Sequence, residues 1–262
     1  MKQYKDITSK ENSVYKFIKS LSQKKVRESN RLFLIEGTRL LEEASRRGAK
    51  IKYLIINEAV KNVPKIDQDC QVLRLTNKLF KEVSDTVNSQ GIIAVVKQIE
   101  ISLEDIVLDI NPFIVVLNGV QDPGNLGTII RTSAAVGATA VLLTKGTVDL
   151  YNSKVIRSTM GSLFQVPIVS GLDDEVTVKW LIHNRINIIV ADIDSEEYYY
   201  SVNLKRPFAL VIGNENSGLN EIWRMADCNR IKIPILGATE SLNASVAAGI
   251  ILYDAVRQRL CT

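Results

Sequence analysis

The chain holds one histidine, three cysteines, three methionines and two tryptophans in 262 residues. Cys70, Cys228 and Cys261 lie far apart and form no metal-ligand spacing, so they read as reduced thiols, and no bound metal is expected. His183 falls on a predicted helix and reads as a surface or packing residue rather than a catalyst. No apolar run reaches the roughly 18 residues that a membrane span requires. The opening MKQYKDITSKENSVYKF lacks the apolar stretch of a secretory leader, and the expected setting is the cytoplasm. Two common nucleotide signatures are also missing. Neither Gly124-x-x-Gly127 nor Gly213-x-x-x-x-Gly218 fits the G-x-G-x-x-G of a dinucleotide fold, and Leu219 stands where a phosphate loop needs a lysine. A dinucleotide-dependent oxidoreductase is therefore a poor reading.

What is present is ordinary in amount and uneven in distribution. Apolar residues make up 46% of the chain and charged residues 24%, enough to bury a core without staples. Residues 1–98 carry 20 Lys and Arg against 11 Asp and Glu, a net of +9, and the remaining 164 residues carry 13 against 18, a net of −5. A basic first part points to a polyanion as partner, or else to a solvated basic face.

The hydrophobic pattern divides at the same place. Helices are predicted at Ser13–Leu21, Thr38–Arg47 and Asn77–Val83, with strands at Leu32–Ile35, Tyr53–Ile56, Gln71–Leu75 and Gly91–Val96. This alternation predicts a small α/β domain over 1–98. Residues 99–111 read as a linker ending in Asn-Pro, and 112–262 as a second α/β domain. In the second domain the apolar runs Phe113–Leu117, Ala140–Leu143, Ile188–Ala191 and Phe208–Ile212 predict buried parallel strands. Helices are predicted at Leu126–Val136, Val176–Asn184 and Asn220–Ala226. A last strand at Arg230–Ile233 precedes a final helix from about Asn243 to Arg259.

Three glycine-bearing loops follow predicted strands, where open α/β sheets bind ligands. They are Asn118-Gly-Val-Gln-Asp-Pro-Gly-Asn-Leu-Gly127, Gly213-Asn-Glu-Asn-Ser-Gly218, and Ile233-Pro-Ile-Leu-Gly-Ala-Thr-Glu-Ser-Leu-Asn243. Through DPGNLGTIIRTSAAVGA, LVIGNENSGL and IPILGATESLNASVAAGIILYDAVRQ, in that order, residues 112–262 resemble the SpoU (TrmH-like) family of RNA 2′-O-methyltransferases within the SPOUT superfamily. The N-terminal stretch, through Ile7-Thr-Ser9 and Arg31-Leu-Phe-Leu-Ile-Glu-Gly37, resembles the substrate-binding domain often fused to it. Asn118 departs from an Asp common there, and Asn216 from a Gly.

The resemblance implies a SPOUT domain with a parallel sheet and a deep trefoil knot, S-adenosylmethionine as cofactor, and a homodimer. By position, Gly213, Ile233 and Leu242 would line the cofactor pocket, although singly they also read as a turn and core residues. Asn125, Arg131, Glu215, Ser241 and Asn243 fall on the family's catalytic positions, and Asn125, Ser241 and Asn243 also read as helix caps. Arginine is a poor general base, so Arg131 is read as stabilising the developing alkoxide and holding a phosphate. The expected substrate is structured RNA, ribosomal first and transfer RNA second, with a non-catalytic RNA-binding protein as the competing class. Phosphate contacts are expected from Lys24, Lys25, Arg27, Arg31 and Arg39, and Arg157 is open between RNA and structure. Tyr198-Tyr-Tyr200 reads as loop or interface filling ahead of base stacking. Val246, Ile250, Ile251, Tyr253 and Val256 could give the final helix a dimer face or be intramolecular core.

Overall fold

The computed structural model describes residues 4–64, 66, 70–214 and 218–261, without the side chain of Arg224. Two compact units emerge: one comprises Met1–Ile99 with Tyr151–Phe164, the other Glu100–Leu150 with Gln165–Thr262. No helix among the described residues is long and apolar enough to cross a membrane.

The first unit is built on a mixed five-stranded sheet. Its strands are β1 (Tyr4–Ile7), β2 (Leu32–Glu36), β3 (Ile51–Asn57), β4 (Gln71–Leu75) and β5 (Ile92–Lys97), in the order β1-β4-β3-β5-β2. Helices α1 (Ser13–Ser20), α2 (Lys24–Asn30), α3 (Thr38–Arg46) and α4 (Asn77–Val83) accompany it. Tyr15, Ile18, Leu73, Phe80 and Val95 anchor one buried cluster. Glu82 clips α1 to α4: it is paired with Lys10, accepts from Lys19 Nζ at 2.7 Å and accepts from Tyr15 Oη at 3.1 Å. Hydrogen bonds from Lys10 and Lys19 hold the Glu82 carboxyl down at about 2. Burial, then the Glu82 contact, pushes the Tyr15 hydroxyl up to about 12. A depressed carboxylate stabilises the fold above its ordinary value of 4.5 and loses that contribution as pH falls toward 2. Glu82→Gln is therefore expected to flatten the acid limb of this unit's unfolding curve between those pH values, measured by circular dichroism.

The segment Tyr151–Phe164 interrupts the second unit's sequence and belongs to the first. Its helix α6 (Ser153–Thr159) lies by β2, and Phe33 meets the Tyr151 ring at 4.5 Å and the Phe164 ring at 6.4 Å.

The second unit carries a six-stranded, fully parallel sheet. Its strands are β6 (Phe113–Leu117), β7 (Ala140–Thr144), β8 (Ile168–Leu172), β9 (Asn187–Ala191), β10 (Phe208–Ile212) and β11 (Asn229–Ile231). Their order is β11-β9-β10-β6-β7-β8. Every residue of β6, β7 and β10 is buried, as strands covered on both faces require. Each fully buried Val, Leu or Ile contributes on the order of 1.5–3 kcal/mol. Helices α5 (Pro123–Ala135), α7 (Asp174–His183), α8 (Glu221–Met225) and α9 (Ala244–Leu260) accompany it, and α5 packs against α9. The predicted linker begins this unit: Ser102 and Asp105 form a capping box, and Leu103 and Ile106 join its core. Arg259 locks the end of α9 by donating to the carbonyls of Leu204, Asn111 and Arg206, over the stacked rings of Phe113 and Phe208.

Candidate active site

Strand register brings the three loops together. Leu117 pairs with Ile212, so the first and second loops leave adjacent strands at one level, and the Asn118 amide donates to the Ile212 carbonyl at 2.9 Å. Ile231 pairs with Ala191, so the third loop and Asp192 leave β11 and β9 side by side. A cleft of about 560 Å³ opens at these carboxyl ends. Gly213, Leu219, Ile233, Leu242, Asn243 and Ile251 are among its walls, with Asp192 and Asp194 nearby on its lining.

The second loop is pinched at its base. Asn214 N donates to Gly218 O at 2.9 Å, and Gly218 N returns a bond to Asn214 O at 3.0 Å. Gly213 lies so close to this closure that a Cβ there would stand 2.9 Å from the backbone C and O of Gly218. Only glycine lets the backbone close at that point. Gly218 itself takes a left-handed φ of 67°. Asn214 Nδ2 donates to Gly119 O at 2.7 Å and ties the second loop to the first. Glu215, like Asn216, lies outside the described residues.

The first loop ends in a cap. Asp122, not Asn125, caps α5, accepting the Asn125 amide at 2.8 Å with Pro123 in the first turn. The Asn125 side chain is thereby left to other work: its Oδ1 accepts from Asn243 Nδ2 at 2.9 Å. Asn243 does cap its helix, accepting at Oδ1 from the amides of Ser245 and Val246 at 2.9 and 3.3 Å. That fixes which end of its amide faces Asn125. One asparagine thus sets the start of α9 and joins the third loop to the first. Ser241 is exposed on the cleft wall.

The structure places Gly213, Ile233, Ser241, Leu242 and Asn243 on one cleft, with buried Asn125 one hydrogen bond behind it. Arg131 is not among the lining residues. It stands exposed on α5, six residues beyond Asn125. Sequence reading misses Asp192 and Asp194, whose only signal is their place just after β9, and reads Ile251 of α9 as dimer face or core where the structure puts it on the cleft wall.

In the first unit, Lys24, Lys25, Arg31 and Arg39 are exposed, Lys24 lying 3.6 Å from Glu28. Arg27 differs. It is 7% exposed, and its Nη1 donates to the carbonyls of Leu21 and Ser22 at 3.0 and 2.6 Å. The guanidinium closes the end of α1 instead of facing solvent, which corrects its place among the phosphate contacts. Arg27→Ala is expected to destabilise this unit by about 1–3 kcal/mol in urea. It should leave the salt dependence of RNA binding unchanged, whereas Lys24→Glu with Lys25→Glu should weaken binding at every salt concentration. Arg157 stands 3.8 Å from Asp85 with its side chain 36% exposed. Exposed His183 sits in the last turn of α7. Tyr198 and Tyr200 stack on each other at 5.3 Å, with Lys232 over Tyr198.

Known proteins share this architecture. Residues 112–253 match the SpoU rRNA methylase family, and residues 12–94 match the MRM3-like substrate binding domain. The 23S rRNA (guanosine(2553)-2′-O)-methyltransferase RlmP of Bacillus subtilis (strain 168) is 33% identical over 254 residues, covering 95% of this chain and 98% of that one. An AdoMet-bound rRNA methyltransferase from Sinorhizobium meliloti superposes with a TM-score of 0.86 at 33% identity, covering 97% and 98% of the two chains. The SpoU methyltransferase AviRb from Streptomyces viridochromogenes, in complex with AdoMet, superposes with a TM-score of 0.89 at 27% identity over 95% and 98%.

Proposed function

The chain belongs to the SpoU rRNA methylase family, and on that premise we propose that it methylates a ribose 2′-oxygen in ribosomal RNA with S-adenosylmethionine as donor. The observation that carries the reading is the cleft walled by the second and third loops, with the first loop tied to both through Gly119 and Asn125 and with Gly213 letting the second loop close on itself. Its volume of about 560 Å³ lies within the range of small-molecule and cofactor sites. When bound, S-adenosylmethionine supplies an electrophilic sulfonium methyl.

The residues divide the work. Ile233 and Leu242 give apolar walls, and Gly213, lacking a Cβ, lets the second loop close against Gly218 so that its backbone forms part of the wall. The Asn243–Asn125 bond holds the first and third loops at a fixed separation. Arg131, outside the cleft wall, meets the incoming RNA: its guanidinium holds the target phosphate and stabilises charge on the 2′-oxygen as the proton leaves. Ser241, exposed on the wall, and the phosphate help to pass that proton. Glu215 is assigned a part in the chemistry by its position in the second motif alone.

Residues 1–98 dock the RNA and 112–262 perform the transfer, with Lys24, Lys25, Arg31, Arg39 and Arg157 as the phosphate contacts. The reading includes the trefoil knot at the C-terminal end, the cytoplasm as setting and a homodimer. Support for the dimer lies along α9, where Val246 and Tyr253 are 50% and 55% exposed and Leu260 is 77% exposed, one stripe of a helix whose Ile251 is instead buried. Light scattering should give twice the chain mass.

Labelled methyl groups are expected to pass from S-adenosylmethionine into ribosomal RNA. Labelling of transfer RNA alone would make that the substrate, and binding of both ligands without transfer would leave a non-catalytic RNA-binding protein.

A further inference from the structure

We propose that Asp174, which lies in none of the three loops, is a positioning residue that sets the spacing between the first and second loops and so the shape of the cofactor cleft. The inference rests on the methyltransferase reading, because that cleft is the one assigned to S-adenosylmethionine.

Asp174 is the first residue of α7. Its Oδ1 accepts from Asn118 Nδ2 and from Trp223 Nε1, both at 2.8 Å, and its Oδ2 accepts from Asn220 Nδ2. Asn118 opens the first loop. Asn220 follows Gly218 and Leu219, which line the cleft. One carboxylate therefore joins the start of the first loop to the end of the second. The two loops also meet directly, since Asn118 Oδ1 accepts the Asn220 amide at 3.3 Å. Asn118 and Trp223 are 2% and 0% exposed, so without Asp174 their N–H groups would be left with unmet demand in a place water does not reach. The second amide hydrogen of Asn118 goes to Thr144 Oγ1 at 3.0 Å, which completes its set.

This arrangement fixes the orientation of Asn118. Its oxygen faces the Asn220 amide, so its nitrogen must face Asp174. In Asn118→Asp an oxygen takes the place of that nitrogen, one hydrogen-bond length from a carboxylate. Two such groups cannot both stay ionised, and either a proton bridges them or the clip opens. A proton on residue 118 restores the missing donor. Beside Asp174 on its own helix stand Asp173, paired with Lys145 at 2.5 Å, and Glu175, 3.5 Å from Lys179. On the facing helix α8, Glu221 follows the clip residue Asn220.

The test is calorimetric titration of the full-length protein with S-adenosylmethionine between about pH 5.5 and 8.5. Wild type should show a nearly level affinity. Asn118→Asp should bind about tenfold or more weakly at the alkaline end and recover toward wild type at the acid end. Adding Asp174→Asn to that variant should restore most of the affinity and abolish the pH dependence, because the new amide supplies the donor from the other side. A general loss of folding would lower affinity without a reversible pH dependence and would not be rescued. Asp174→Ala, which adds no charge, should bind about tenfold more weakly with a level pH profile. Equal, pH-independent affinity of wild type, Asn118→Asp and Asp174→Ala would overturn the proposal and leave the methyltransferase reading standing. Absence of binding by wild type would instead strike the reading itself.

Discussion

Gly213→Ala is expected to weaken S-adenosylmethionine binding by about 10- to 100-fold while the protein stays folded. The added Cβ would lie 2.9 Å from the C and O of Gly218 and 3.1 Å from Leu219 Cγ. Its obstacles are mainly backbone, so no change of rotamer relieves the clash. Overpacking of this kind costs about 1–3 kcal/mol, and the least resistant element is the second loop, whose base is held by the reciprocal Asn214–Gly218 bonds. Those bonds give the cleft wall its place, so the strain should surface as lost affinity. Isothermal titration of the variant checks this, and wild-type affinity would show that the close approach at Gly213 has no part in binding.

Arg131→Ala should behave in the opposite way. Arg131 is exposed and lines no part of the cleft, so stability and cofactor affinity should change little. The chemical step should slow on the order of 10²–10³-fold, the usual scale for removing a preorganised stabiliser of developing charge. Arg131→Lys should recover only part of the rate, since a point charge cannot hold phosphate and sugar oxygen with one planar fork. Single-turnover transfer with saturating RNA and cofactor measures this directly. A rate near wild type would remove Arg131 from the chemistry.

The sequence announced the parts of the fold that local pattern can announce. Buried strands β6, β7 and β10 are uninterrupted apolar runs, and α9 is a long helix with its cap residue in view. Other elements gave no such signal. β1 is an edge strand with three of its four residues exposed, so it has almost no apolar face to detect. α2 reads Lys-Lys-Val-Arg-Glu-Ser-Asn and buries an arginine, which inverts the pattern that marks a helix. β8 contains Ser170 and Gly171, which read as loop. The apolar period predicts a start of α5 at Leu126, whereas the Asp122 cap and Pro123 begin the helix three residues earlier.

The site was legible to a similar depth. The loops named Gly213, Ile233, Ser241, Leu242 and Asn243, and the parallel register brings them to one cleft. Arg27 could not be told from its neighbours, since charge alone does not say that a guanidinium turns inward to Leu21 and Ser22. Asp174 had no local signal at all. Its partners Asn118, Asn220 and Trp223 are 46 to 56 residues away in the chain, and only the order of strands β10, β6 and β7 makes them neighbours.

The central claim is that the methyl group ends on a ribose oxygen, and alkali tests that choice. A free 2′-hydroxyl lets hydroxide cleave the adjoining phosphodiester, whereas a methylated one cannot attack and leaves the bond intact. Ribosomal RNA labelled by the protein with S-adenosylmethionine should therefore yield its label in an alkali-resistant dinucleotide. Label released as a mononucleotide would place the methyl on a base and contradict the account.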